Sequence, residues 1–124
     1  MVTLLLVGLG GAIGSVARHL ISSSIQRGSH SGFPWGTHVV NSTGSFVIGI
    51  VFAFFDGQQF GDTVLSFFVA GLLGGYTTFS TFSVENMKML ENQRYGWFLQ
   101  NAIGQIVVGL GVAMLGYALG SAVV

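Results

Sequence analysis

Charged side chains are nearly missing from this chain: Lys and Arg number four, Asp and Glu four, or 6% of 124 residues. An ordinary soluble domain carries roughly 25%. A short domain has much surface for its volume, so this few charges could not solvate a globular exterior. Mean hydropathy of +0.73 agrees. A soluble enzyme, a basic nucleic-acid binder and a disordered segment are therefore excluded. The formal net charge of +0 leaves no long-range field for nucleic acid or anionic lipid. Cys is absent, which removes a disulfide framework, a thiolate metal site and a cysteine nucleophile.

What remains is a lipid bilayer as solvent. A membrane helix needs about 20 apolar residues, and the chain offers four such spans, about 2–25, 34–55, 63–90 and 95–119. The expectation is one all-α, multi-pass domain over residues 1–124 in the cell membrane, with tight loops and no soluble appendage. The apolar start through Ala12, with Ser15-Val16-Ala17 behind it, imitates a signal peptide. It lacks a basic leader, however, and three further spans follow, so it reads as the first transmembrane helix. Pro34 sits where a first helical turn tolerates it. Asp56-Gly57-Gln58-Gln59 closes span two, and Asp62 or Thr63 is the expected N-cap of span three. Tyr95 and Trp97 are interfacial anchors opening span four. No segment alternates as a membrane β-strand would.

Glycine supplies 20 residues, too many for soluble helices. Small residues let membrane helices approach closely, and Gly10/Gly14, Gly71/Gly75 and Gly116/Gly120 each stand four apart on one face. Close packing is their expected use. Gly8, Gly10 and Gly14 lack the strand-turn-helix context of a dinucleotide loop. Four spans put both termini on one side. That side carries no Lys or Arg, whereas the other carries Arg27, Lys88 and Arg94, which predicts termini outside.

Polar groups at membrane depth are costly, so their positions carry the functional signal. The main cluster is Gly74-Gly75-Tyr76-Thr77-Thr78-Phe79-Ser80-Thr81-Phe82-Ser83-Val84-Glu85. Two glycines followed by two β-branched threonines weaken a helix. One reading is a break near the middle of span three, whose freed carbonyls could hold a small cation and whose amides favour an anion. The other is a glycine kink with hydroxyls bonded back to their own helix. Phe79 and Phe82 share a face beside the Thr78, Thr81, Glu85 row and the Ser80, Ser83 row. They are either ordinary packing residues or the lining of a conduit in which electropositive ring edges touch an anion. On span two, Thr37, Asn41 and Ser45 form a polar stripe, read either as ion contacts or as interhelical hydrogen bonding. Asn101 and Gln105 repeat it on span four. Arg18 either snorkels or raises local anion concentration. His19, His30 and His38 have no metal-ligand spacing.

Three segments, Gly10 to Gly14 with Arg18, Gly36 to Asn41 with Gly44-Ser45-Phe46, and Gly71 to Glu85, resemble the CrcB/Fluc family of fluoride ion channels in order, spacing and chain length. The resemblance implies four-helix subunits assembled as an antiparallel, dual-topology dimer with two narrow pores that pass fluoride passively. It assigns Phe79 and Phe82 as aromatic fluoride contacts and Asn41 as an amide donor. Ser80, Thr81 and Ser83 would lie on or near a polar track with Glu85 toward its end, and Arg18 near the pore entrance. The carbonyls of Gly74 and Thr77 from both subunits would hold a structural sodium ion at the dimer centre. A homodimer is expected, with a heterodimer of oppositely biased homologues as the alternative. Fluoride is strongly hydrated, so such a pore must replace water with many weak donors. A negative cell interior drives the anion out by about 2.3 kcal/mol per 100 mV, so no pump is needed.

The chain departs from the family pattern at His19 and His38, neither expected to reach the pore contacts, and at Gly109 and Ala113, where hydroxyl residues are usual on the fourth helix. Two rivals remain. A small four-helix, proton-coupled multidrug exporter needs a buried acid in its first helix, and span one has none. A pore-less structural subunit would use the polar stripes only as packing contacts. No nucleophile–base pair suggests an enzyme.

Overall fold

A computed structural model describes residues 1–30, 32–56 and 61–123. Helices α1 (Val2–Arg27) and α2 (Trp35–Phe55) are continuous. The third span is in two pieces, α3 over residues 62–76 and α4 (Phe79–Glu91), and α5 (Tyr95–Val123) completes the bundle. All four spans, with the third counted as Asp62–Glu91, are long and apolar enough to cross a bilayer, and no strand occurs among the described residues. The chain is thus a multi-pass, all-α membrane protein with a broken third helix.

Burial is inverted relative to a soluble protein. Leucines, valines and phenylalanines are exposed along every span, while the side chains wholly shielded inside are Val40 and Asn101. Lipid solvates the apolar exterior, and the interior is shared by glycines, a few apolar side chains, threonines and amides. Helix α1 packs along α3, α2 along α5, and α4 chiefly against α5. Each of the expected glycine pairs lies at a seam. A Cβ on Gly14 would strike the carbonyl oxygen of Leu72, and one on Gly75 that of Gly11. One on Gly71 would lie 2.8 Å from the Val7 carbonyl oxygen. On the other seam Gly116 abuts the Phe46 carbonyl, Gly49 the Ala113 carbonyl, and a Cβ on Gly120 would sit 2.7 Å from that of Ala53.

The N-cap of α3 is Gly61, with Asp62 as the first helical residue and no side-chain cap. Thr63, the other expected cap, spends its hydroxyl on Thr3 of α1 at 2.8 Å, tying the two helix starts together. The loop residues 57–60 lie outside the described residues. Asp56 accepts a 2.6 Å hydrogen bond from the Tyr117 hydroxyl and so closes the α2–α5 end. At the opposite end Gln26 clamps the α1–α2 connection, donating to Phe33 O at 2.9 Å and accepting from Gly36 N–H at 3.0 Å. Helix α4 ends with Gln93 at φ 59° and an Arg94 N–H to Met89 carbonyl bond of 2.8 Å, so the chain reverses at once into α5.

Residues Phe67–Leu73 of α3 are wound as a π-helix, just ahead of the break. Such turns are rare and cluster at functional sites. Their composition is ordinary, and nothing in it marks the winding.

The seams predict position-specific costs. Gly14→Ala should destabilise the protein by about 1–3 kcal/mol, because backbone rather than a flexible side chain blocks the added methyl. Gly8→Ala, with nothing within 4 Å of its Cβ position, should be neutral or slightly stabilising. Unfolding in mixed micelles, followed by tryptophan fluorescence, checks both.

Candidate functional site

The break falls at Thr77 (φ −82°, ψ 156°) and Thr78 (φ −144°, ψ 118°), both extended, as β-branched residues readily are. An extended peptide at membrane depth needs partners for its N–H and C=O, each worth several kcal/mol if left bare. Asn41 of α2 supplies both. Its Oδ1 accepts from Thr78 N–H at 2.9 Å, and its Nδ2 donates to the Thr78 carbonyl at 3.1 Å. A backbone N–H can only donate, so this pairing fixes which way the carboxamide faces.

The second Nδ2 hydrogen of Asn41 goes to Gln105 Oε1 at 3.0 Å. Gln105 Nε2 then donates to Asn101 Oδ1 at 2.7 Å, and Asn101 Nδ2 to Asn86 Oδ1 at 2.8 Å. Four carboxamides from α2, α5 and α4 thus form one directional chain, oriented from its head by the Thr78 N–H. It ties the break to the middle of α4 through the bundle interior. Asn41, Asn101 and Gln105 stand out in the sequence as polar residues on apolar helices. Asn86 does not, because it sits between Glu85 and Lys88, and only the fold reveals its partner.

Both local readings of the threonines hold in part. Thr77 Oγ1 bonds back to Leu73 O at 3.0 Å, as in a kinked helix. Thr78 instead caps α4, its Oγ1 accepting from Thr81 N–H at 3.2 Å and donating to Thr81 Oγ1 at 3.2 Å. These bonds have a consequence for the backbone. In a continuous helix Thr78 N–H would serve the Gly74 carbonyl and Thr81 N–H that of Thr77. Asn41 and the Thr78 hydroxyl take those donors, so the Gly74 and Thr77 carbonyls are among those released from helical bonding. Oxygen atoms of unwound backbone suit a small hard cation, and these two residues fit a sodium ion in that respect. Two oxygens do not complete a coordination shell.

Two cavities meet at the break, and a third lies at the far end of α4. The first, about 290 Å³, is walled by Asn41, Ser45, Thr77, Thr78, Phe79 and Phe82, with Gln105 of the amide chain beside them. It has no charged residue in its lining. The two phenyl rings lie 5.9 Å apart between centroids at 39°, and Phe79 is 79% exposed. The second cavity, about 210 Å³, contains Arg18, His19, Thr37 and Thr81 and shares Thr78 with the first. The third, about 430 Å³, contains Glu85, Lys88, Arg94 and Trp97. The Glu85 carboxylate meets Thr37, and its Oε1 is buried without a hydrogen-bond partner among the described residues.

The structure therefore brings Asn41, Thr77, Phe79 and Phe82 to one place, puts Arg18 and Thr81 in the adjoining chamber, and sets Glu85 beyond Thr37. Ser80 reaches the Thr78 hydroxyl at 3.3 Å, while Ser83 lies exposed on α4 and Gly74 exposed at the end of α3. His19 lies in the wall of the same chamber as Thr81. His38 faces Ser42 at 3.4 Å and lies near Gly104, away from these cavities.

Known proteins share this chain throughout its length. A Thermus thermophilus protein named fluoride-specific ion channel FluC is 43% identical over 121 residues, 97% of this chain and 96% of the relative. Proteins of the same name from Phocaeicola vulgatus and Shewanella halifaxensis are each 40% identical. Those matches cover 94% and 100% of this chain, and 96% and 97% of the respective relatives. Residues 5–117 match the family described as CrcB-like protein, Camphor Resistance (CrcB), and with a match of that extent the chain belongs to the CrcB family.

Proposed function

We propose that this protein is a fluoride-selective channel giving passive fluoride export across the cell membrane. The observation that carries the reading is the chamber at the break. Two phenyl rings, a carboxamide and hydroxyls converge there with no charged side chain in the wall. A full positive charge would hold fluoride too tightly to release it, whereas ring edges and hydroxyls offer many weak contacts. Phe79 and Phe82 present their edges to the ion. Asn41 keeps its two bonds to Thr78 and offers the ion the hydrogen otherwise given to Gln105. Thr81 and Ser80 continue the track from the capping threonine, Ser83 lies alongside it, Glu85 stands toward its far end, and Arg18 attracts anions at the entrance.

The working unit is an inverted homodimer with two pores. Helix α4 packs chiefly against α5 and leaves Phe79 uncovered, which is how a surface awaiting a second copy would look. The released carbonyls of Gly74 and Thr77 from both copies would together hold a sodium ion at the dimer centre, and the ion would pin the two breaks together. Insertion in both directions has to overcome the three-to-none loop bias of Arg27, Lys88 and Arg94.

Liposomes loaded with fluoride test the activity, with efflux followed by an electrode. The protein should release fluoride and retain chloride; no efflux, or equal efflux of both anions, would sink the reading. Phe82→Ile should lower fluoride flux at least tenfold while the protein still elutes as a dimer, and unchanged flux would remove the rings from the pathway. Replacing sodium with N-methylglucamine throughout purification should lower the melting temperature of the dimer and be reversed by adding sodium. A melting curve indifferent to sodium would exclude the cation site.

A further inference from the structure

The second chamber holds residues beyond those given to the pore above. It lies between α1, α2 and the start of α4, and its wall brings together Arg18, His19, Ser22, Ser23, Thr37 and Thr81. Arg18 with Ser22, and His19 with Ser23, stand four apart on α1, so each pair shares one helix face. No carboxylate lines the space. Glu85 stands beyond it across Thr37, and α2 and α3 contribute no charged residue to the wall. The chamber therefore has five hydroxyl residues, one permanent cation and one exposed imidazole, and one of the five, Thr78, is shared with the phenylalanine-lined cavity.

We propose that this chamber is an anion-holding site feeding the pore, and that His19 is one of its binding residues, so that its occupancy by a small inorganic anion rises as His19 takes up a proton. The inference rests on the channel reading above and adds a residue and a pH dependence to it. Imidazole is the side chain whose charge ordinarily changes between pH 5 and 8. Protonated, it doubles the fixed positive charge of a compartment otherwise held by Arg18 alone. Neutral, it leaves hydroxyl donors and a single cation. His19 is exposed, so the effect is a moderate one that salt will screen. The sign is fixed: lower pH means more positive charge, and so a lower fluoride concentration for half-saturation. Acid conditions are also those in which fluoride crosses membranes as the neutral acid, so the site would fill more readily when export is most needed.

The test measures fluoride efflux from liposomes at pH 5.8 and 7.8, equal on both sides, at low ionic strength, with the leak of protein-free vesicles subtracted. In the natural protein the half-saturating fluoride concentration should fall about two- to fivefold at the lower pH. His19→Gln should give the high value at both pH values, and His19→Lys the low value at both. Alongside, the His19 ring resonances of isotope-labelled protein are followed during a fluoride titration at each pH, where a saturable shift should appear at lower fluoride at pH 5.8. A pH dependence unchanged in His19→Gln would overturn the proposal while leaving the channel intact. If no variant conducts, the channel reading fails and the ring resonances decide: a saturable, pH-dependent shift upholds the chamber, and unmoved resonances overturn it.

Discussion

The fold turns on one peptide unit. Thr78 lies extended in the interior of a bundle whose exterior is lipid, and its N–H and C=O would be orphaned there without Asn41. Unpaired backbone at that depth costs several kcal/mol per group, enough to restore a straight helix. The carboxamide is well suited to the task because it carries a donor and an acceptor side by side, matching the two faces of a peptide. A carboxylate has no donor for the carbonyl, and an ammonium has no acceptor for the N–H. With the break held, Phe79 begins a new helix and aims its ring differently from a residue in a straight span. The Gly74 and Thr77 carbonyls are released by the same bonds.

Holding the break requires helices nearer than ordinary side chains allow. A Cβ on Gly44 would meet the Thr77 methyl at the point where α2 meets the break, and Gly14 and Gly75 bring α1 and α3 into backbone contact below it. The glycines and the clamp are thus one device. The former set how near α2 and α3 stand, and the latter converts that nearness into hydrogen bonds. The amide chain from Asn41 to Asn86 carries the constraint onward and fastens α4 to α5 on the far side.

Much of this was legible in the residues themselves. Scarcity of charge required a membrane, the four-residue glycine spacing marked the seams, and paired glycines before paired threonines marked the break. Each is a signal contained within one helix or one turn. What escaped depended on neighbours distant in sequence. The π-wound stretch Phe67–Leu73 has no composition of its own, and Thr63 was spent on Thr3 instead of capping α3. Asn86 carries no signal of its own beside Glu85 and Lys88, because its partner Asn101 lies 15 residues away. Nor does α1 alone show that the turn bearing His19 closes a chamber with α2 and α4.

The cavity at the break also explains how such a wall could bind an anion without retaining it. Its hydroxyl hydrogens are already committed: Ser45 gives its own to the Asn41 carbonyl at 2.8 Å, Thr77 to Leu73, and Thr78 to Thr81. Both Asn41 amide hydrogens are committed as well. An arriving ion therefore gains each donor only by displacing a protein acceptor, and the net gain per contact shrinks from the several kcal/mol of a bare hydrogen bond to about 1 kcal/mol. Displacement is reversible, since each acceptor waits for its donor to return once the ion moves on. An anion with a weaker grip on its donors would not repay the displacement, so the same prior commitment that loosens the site also favours the anion that binds donors most strongly.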